Sequence, residues 1–181
     1  MKKTLSILVV ALLLIAPIAV LAETHTSEAV GIAFEIPEGM AVVEGVNEAT
    51  GLPQVGVSDG ALTFLVIAGQ MDSLGGFDLA SATEEEIEQL IAALGLNAPE
   101  GESPVACELS GDDGEEPYLS LSHEDGTGYG TLEISSGYVF VQLVGNVSGT
   151  PLTDEELSAF DSFVESIEYL EGGGEDAEEE A

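Results

Sequence analysis

Apolar positions are densest, as a pair of predicted strands, between Tyr129 and Gly145, in the stretch YGTLEISSGYVFVQLVG. The pattern predicts a β-hairpin closed by Ser136-Gly137, because a two-residue loop needs the positive φ that glycine adopts freely. That register sets Ser135 opposite Tyr138. One face carries Ile134 opposite Val139, Leu132 opposite Val141 and Gly130 opposite Leu143, and is the expected core face. The other carries Glu133 opposite Phe140, Thr131 opposite Gln142 and Tyr129 opposite Val144. This mixed face has two readings. Either a helix covers part of it, or Tyr129, Tyr138 and Phe140 belong to an exposed partner surface.

The pattern upstream predicts more strands. GIAFEIPEGM alternates Ile32, Phe34 and Ile36 with Ala33 and Glu35, and Pro37-Glu38-Gly39 breaks it before a second strand at Met40 to Val43. Gln54 to Val57, a Ser58-Asp59-Gly60 turn and Ala61 to Ala68 form a hairpin. ALTFLVIA is almost wholly apolar and predicts a central strand buried on both faces. Pro104 to Leu109 and Tyr118 to Ser122 continue the sheet. Two capping boxes announce helices, at Thr83-Glu84-Glu85-Glu86 and at Thr153-Asp154-Glu155-Glu156. The first helix carries an apolar stripe of Ile87, Leu90, Ile91 and Leu94 and stops at Gly95. The second carries Leu157, Phe160, Phe163, Val164 and Ile167, suited to lie across a sheet.

The two ends differ from this middle. Residues 1–22 read as a signal peptide, with Lys2 and Lys3, an apolar run from Leu5 to Leu21, and Val20-Leu21-Ala22 before Glu23. Pro17 favours cleavage; an uncleaved leader would instead anchor the chain, since the run verges on the roughly 17 residues that span a bilayer. Residues 23–30 read as a loose polar segment, 31–170 as one domain, and 171–181, EGGGEDAEEEA, as a disordered acidic tail. The protein is therefore expected outside the cytoplasm: secreted, periplasmic or at the cell surface.

Charge narrows the functions. Both lysines lie in the leader, so residues 23–181 carry 35 acidic residues and no Lys or Arg, a formal charge of −35. Nucleic acids and anionic membrane surfaces are excluded as partners, because they are held through Lys and Arg. Nucleotide chemistry loses its usual cations as well. The expected partners are cations or a basic protein.

Candidate chemistry is sparse. Asp112, Asp113, Glu115 and Glu116 crowd one Gly-containing loop and offer hard oxygen ligands for Ca²⁺, without EF-hand spacing. No other cofactor is expected. Gly56-Val57-Ser58-Asp59-Gly60 matches G-x-S-x-G, but a nucleophile elbow needs a following helix and a strand follows here. His25 reads as a mobile residue. His123, before Glu124-Asp125-Gly126, reads as an exposed turn residue and is the one expected ordered imidazole base. Cys107 reads as a small buried apolar residue. Glu85, Glu86, Glu155 and Glu156 are explained by helix capping and the helix dipole. No catalytic residue is assigned, and the chain is expected not to be an enzyme.

These elements make an α+β domain: a mostly antiparallel sheet with helices packed on it. GIAFEIPEG, EEEIEQLIAAL, GYVFVQLVG and SFVESIEYL occur in an order that resembles PsbP-like domains, the superfamily that includes bacterial DcrB-like proteins, over roughly residues 31–170. The chain departs from that pattern at Met40, where an aromatic often follows the Pro-x-Gly entry, and in lacking Lys and Arg. The resemblance implies an α/β/α sandwich and an exported, non-catalytic binding or accessory role. Three functions are thus expected in descending order: an exported accessory or protein-interaction domain, a Ca²⁺-binding or cation-stabilised extracytoplasmic protein, and a hydrolase with His123 as its base.

Overall fold

The hairpin that dominates the sequence lies at the middle of a seven-stranded antiparallel sheet. A computed structural model describes residues 23–96, 105–110 and 117–170. The strands are β1 (Thr24–Ser27), β2 (Ile32–Glu35), β3 (Ala41–Val46), β4 (Pro53–Ser58), β5 (Leu62–Gln70), β6 (Val105–Ser110), β7 (Tyr118–His123), β8 (Gly128–Ser135), β9 (Tyr138–Asn146) and β10 (Glu168–Tyr169). The helices are α1 (Glu84–Ala93) and α2 (Asp154–Glu165). The large sheet has the order β3-β4-β5-β9-β8-β7-β6, and a small one has the order β1-β2-β10.

Strands β8 and β9 pair in the expected register, from Ser135 opposite Tyr138 to Tyr129 opposite Val144. Ser136 and Gly137 take φ of 51° and 81°, the twisted two-residue turn that matches the sheet. β5 runs beside β9 and is buried on both faces along Val66, Ile67 and Ala68, as its apolar run requires.

Each face of the large sheet takes one helix. On one face, Leu90, Ile91 and Leu94 pack against Ile67, Leu119, Leu132, Val139 and Val141. On the other, Phe160 and Phe163 of α2 pack with Val55, Val57, Phe64, Phe140 and Val144, joined by Ile32 and Phe34 of the small sheet. Both capping boxes form, with the Thr83 and Thr153 hydroxyls accepting from the Glu86 and Glu156 backbone N–H groups. This is an α+β fold with a mostly antiparallel sheet.

Three expectations are corrected. Residues 24–27 are not loose: β1 pairs with β2 along its length, and the Ser27 side chain is fully buried. The sequence THTS has no apolar period to reveal it, because the pairing rests on backbone hydrogen bonds. The final helix stops at Glu165, and Glu168–Tyr169 form a short strand against Ala33 and Ile32. Finally, Tyr129, Tyr138 and Phe140 are not an exposed surface. Phe140 is 4% exposed, and the two tyrosines are half-buried against the α2-side core. The covering layer includes Phe160, edge-on to Tyr129 at 6.3 Å, and Tyr169, 5.3 Å from Phe140.

Residues 1–22, the acidic tail from 171 and the loop bearing Asp112, Asp113, Glu115 and Glu116 lie outside the described residues. Among the described residues, no helix is long and apolar enough to cross a membrane.

Candidate functional site

Among the described residues, one face of the large sheet is not fully covered. Helix α1 ends at Ala93, and the described chain continues through Gly95, at a φ of 67°, to Leu96. Beyond that point lies a cleft of about 420 Å³, walled by Leu65, Leu96, Leu121 and Leu143. Leu65, Leu96 and Leu143 remain only half-buried although they belong to the core side of the sheet.

Register explains the hollow. Thr63, Gly145 and Gly128 stand side by side on β5, β9 and β8. Side chains alternate along a strand, so Gly145 shares its face with Leu143, two residues away. Two neighbouring strands therefore contribute no side chain at one level of the face, and the floor is backbone. The His123 ring closes one side: a Cβ on Gly128 would come within 2.8 Å of its Cδ2.

The rim is preformed. Gly95 fits so closely against Ala49 that a Cβ there would approach the Ala49 Cβ to 2.6 Å. The loop carrying Ala49 is tied by Asn47 Oδ1, which accepts from the N–H groups of Ala49 and Thr50 and from the Thr50 hydroxyl. Three more polar groups of the rim are engaged. Thr63 Oγ1 lies 2.9 Å from Ser58 Oγ, Thr127 donates to Asp125 Oδ1 at 2.7 Å, and Asn146 Nδ2 donates to Glu156 Oε1 at 3.2 Å. The cleft thus offers apolar walls and shape more than unsatisfied polar groups.

Tyr129 lines this cleft, and the other sequence-predicted residue brought to it is His123. It is half-buried at the end of β7, not an exposed turn residue. His25, expected to be mobile, sits in β1 with its Nε2 2.9 Å from Glu44 Oε1. Hydrogen bonds from His25, then from Ser27, hold the Glu44 carboxyl below its ordinary range, with a small opposing effect of burial.

Ser58 is occupied as a turn residue. Its hydroxyl donates to the Leu62 carbonyl at 2.9 Å and accepts from the Gly60 N–H at 3.0 Å. Asp59 Oδ1 accepts from the Ala61 and Leu62 N–H groups, which lowers its pKa. Cys107 is half-buried in β6, and burial foremost, then the Glu88 charge, pushes its thiol up. Glu86 is held by Thr83 in the capping box, with its pKa lowered by those hydrogen bonds. No group of three His, Cys, Asp or Glu residues able to hold a metal occurs among the described residues.

Reading hairpin motifs alone misses the cleft, because its floor is set by glycines. The signal is nonetheless present: continuing the register past Tyr129 and Val144 sets Gly128 opposite Gly145. No protein-family model matches the chain, and a search of curated proteins finds no match.

Proposed function

We propose that the protein is an exported, non-catalytic interaction domain that docks a cationic partner, foremost a basic protein. The observation that carries this reading is the placement of uncompensated acid on both faces. Glu84, Glu85 and Glu88 of α1 are exposed on one side, and Asp154, Glu155, Asp161 and Glu165 of α2 on the other. Among the described residues, His25 with Glu44 is the one ion pair between side chains. With no Lys or Arg in residues 23–181, the charge acts outward and draws a basic partner by long-range attraction. A helix on each face of the sheet agrees with what the PsbP-like resemblance implies. We assign the finer fold, an α/β/α sandwich of PsbP-like kind, on that ground.

The test uses the full chain immobilised and exposed to the extracytoplasmic proteins of its own source at about 0.15 M salt, where charges are screened over roughly 8 Å. The retained proteins are then measured singly against two variants. One replaces Glu84, Glu85 and Glu88 by Gln; the other replaces Asp154 and Asp161 by Asn and Glu155 and Glu165 by Gln. A docking domain loses one basic partner through one variant only. Equal weakening by both, or no basic protein retained, overturns the reading.

A further inference from the structure

We propose that the cleft between α1's C-terminal end and His123 is a binding site for a small apolar ligand that is neutral or cationic. The inference stands apart from the docking of a basic protein, which rests on charge and on the helix surfaces.

Gly145 carries the argument. Glycine within a strand weakens it and leaves a hole where a side chain would pack. Some glycines are forced, but Gly145 is not. It does not have a positive φ, and the nearest atom to a Cβ placed there is the Thr127 carbonyl oxygen, 4.0 Å away. A β-branched residue would suit the strand and would fill the floor. Its neighbour Gly128 differs, because the His123 ring occupies the space that its Cβ would need. Gly145 is thus a position where the chain forgoes strand stability and keeps a space open.

The space has a definite chemistry. Its volume, about 420 Å³, falls within the roughly 300–1,000 Å³ of small-molecule sites. Leu65, Leu96, Leu121 and Leu143 make its walls, and three of them stay half-buried. Covering such a surface is favourable whatever the apolar occupant. Thr63, Thr127 and Asn146 already spend hydrogen bonds inside the protein and Asn47 Oδ1 is taken by its own loop, so these four groups offer a highly polar metabolite little in return for its lost hydration. The charge of −35 on residues 23–181 disfavours an anion. An apolar body, uncharged or carrying a positive group, remains.

The test uses the full chain and two fluorescent probes that share one aromatic body: neutral N-phenyl-1-naphthylamine and its sulfonated, anionic counterpart. The wild type should bind the neutral probe saturably at one site. The anionic probe should bind more weakly at low salt, with the difference narrowing as salt rises. Gly145→Val should fold with an unchanged or higher Tm and bind the neutral probe at least tenfold more weakly. Leu96→Gln, outside any strand, should weaken binding severalfold and serves if Gly145→Val does not fold. Absence of saturable binding to the wild type, including because another segment of the chain fills the cleft, overturns the proposal. So does wild-type affinity in a folded Gly145→Val or, where that variant does not fold, in Leu96→Gln.

Discussion

His25 and Glu44 join the small sheet to the edge of the large one, with Nε2 and Oε1 2.9 Å apart. Glu44 binds fewer protons in the folded state, because His25 and Ser27 lower its pKa. Its contribution is therefore complete above the ordinary carboxylate range and is lost as pH falls through the lowered value. The pair is part exposed, which limits its worth to roughly 0.2–1 kcal/mol. Wild type should exceed Glu44→Gln by about 1–4 °C in Tm at neutral pH. The gap should close below about pH 4. A gap independent of pH would show that the carboxylate's charge plays no part.

Phe163 lies between the two sheets. Its ring is 5.0 Å from Phe64 and 5.3 Å from Phe34, and its side chain is buried. Phe163→Ala leaves a cavity where the small sheet meets α2 and should cost about 3–5 kcal/mol in chemical denaturation. Loss below about 1 kcal/mol would mean that the small sheet collapses onto α2 without strain.

The capping threonines make a matched pair. Each of Thr83→Ala and Thr153→Ala removes a side-chain acceptor and frees a glutamate, and should cost about 1 kcal/mol. The two losses should add, because one helix lies on each sheet face. A double-mutant cycle by denaturant melting checks this. A coupling beyond about 0.5 kcal/mol would show that the two faces communicate through the sheet.

Gly130 faces the same side as Gly145, yet it has no room. A Cβ there would collide with the Gln142 carbonyl and press on Leu143. Gly130→Ala should therefore lower Tm steeply, whereas Gly145→Ala should leave it unchanged or raise it. Equal behaviour of the two would contradict the distinction between a glycine forced by contact and one that keeps space.

Cys107 should react slowly with iodoacetamide at neutral pH, because the thiolate is the nucleophile and the thiol pKa is raised. The rate should climb only above the ordinary thiol range, near pH 8.5 and higher. Glu88→Gln should accelerate labelling slightly, since the Glu88 charge is the smaller of the two causes. Fast labelling at pH 7 would place the thiol in a more open setting.

Local periodicity made much of the fold legible. The β8–β9 register, the doubly buried strand β5, both capping boxes and the stripes of α1 and α2 follow from alternation and helical spacing, which each residue carries with it. The charge and its outward sense follow from composition alone. Tertiary structure decided what no local period encodes. β1 is polar and β10 spans two residues, and both become strands because β2 offers a backbone edge to each. Phe140 was placed on the mixed face by its sequence position, but only α2 and Tyr169 determined that it would be covered. The cleft needed both levels. Pairing put Gly128 beside Gly145, and α1 ends at Ala93 with none of its residues lining the cleft, since a hollow is defined by what packs around it.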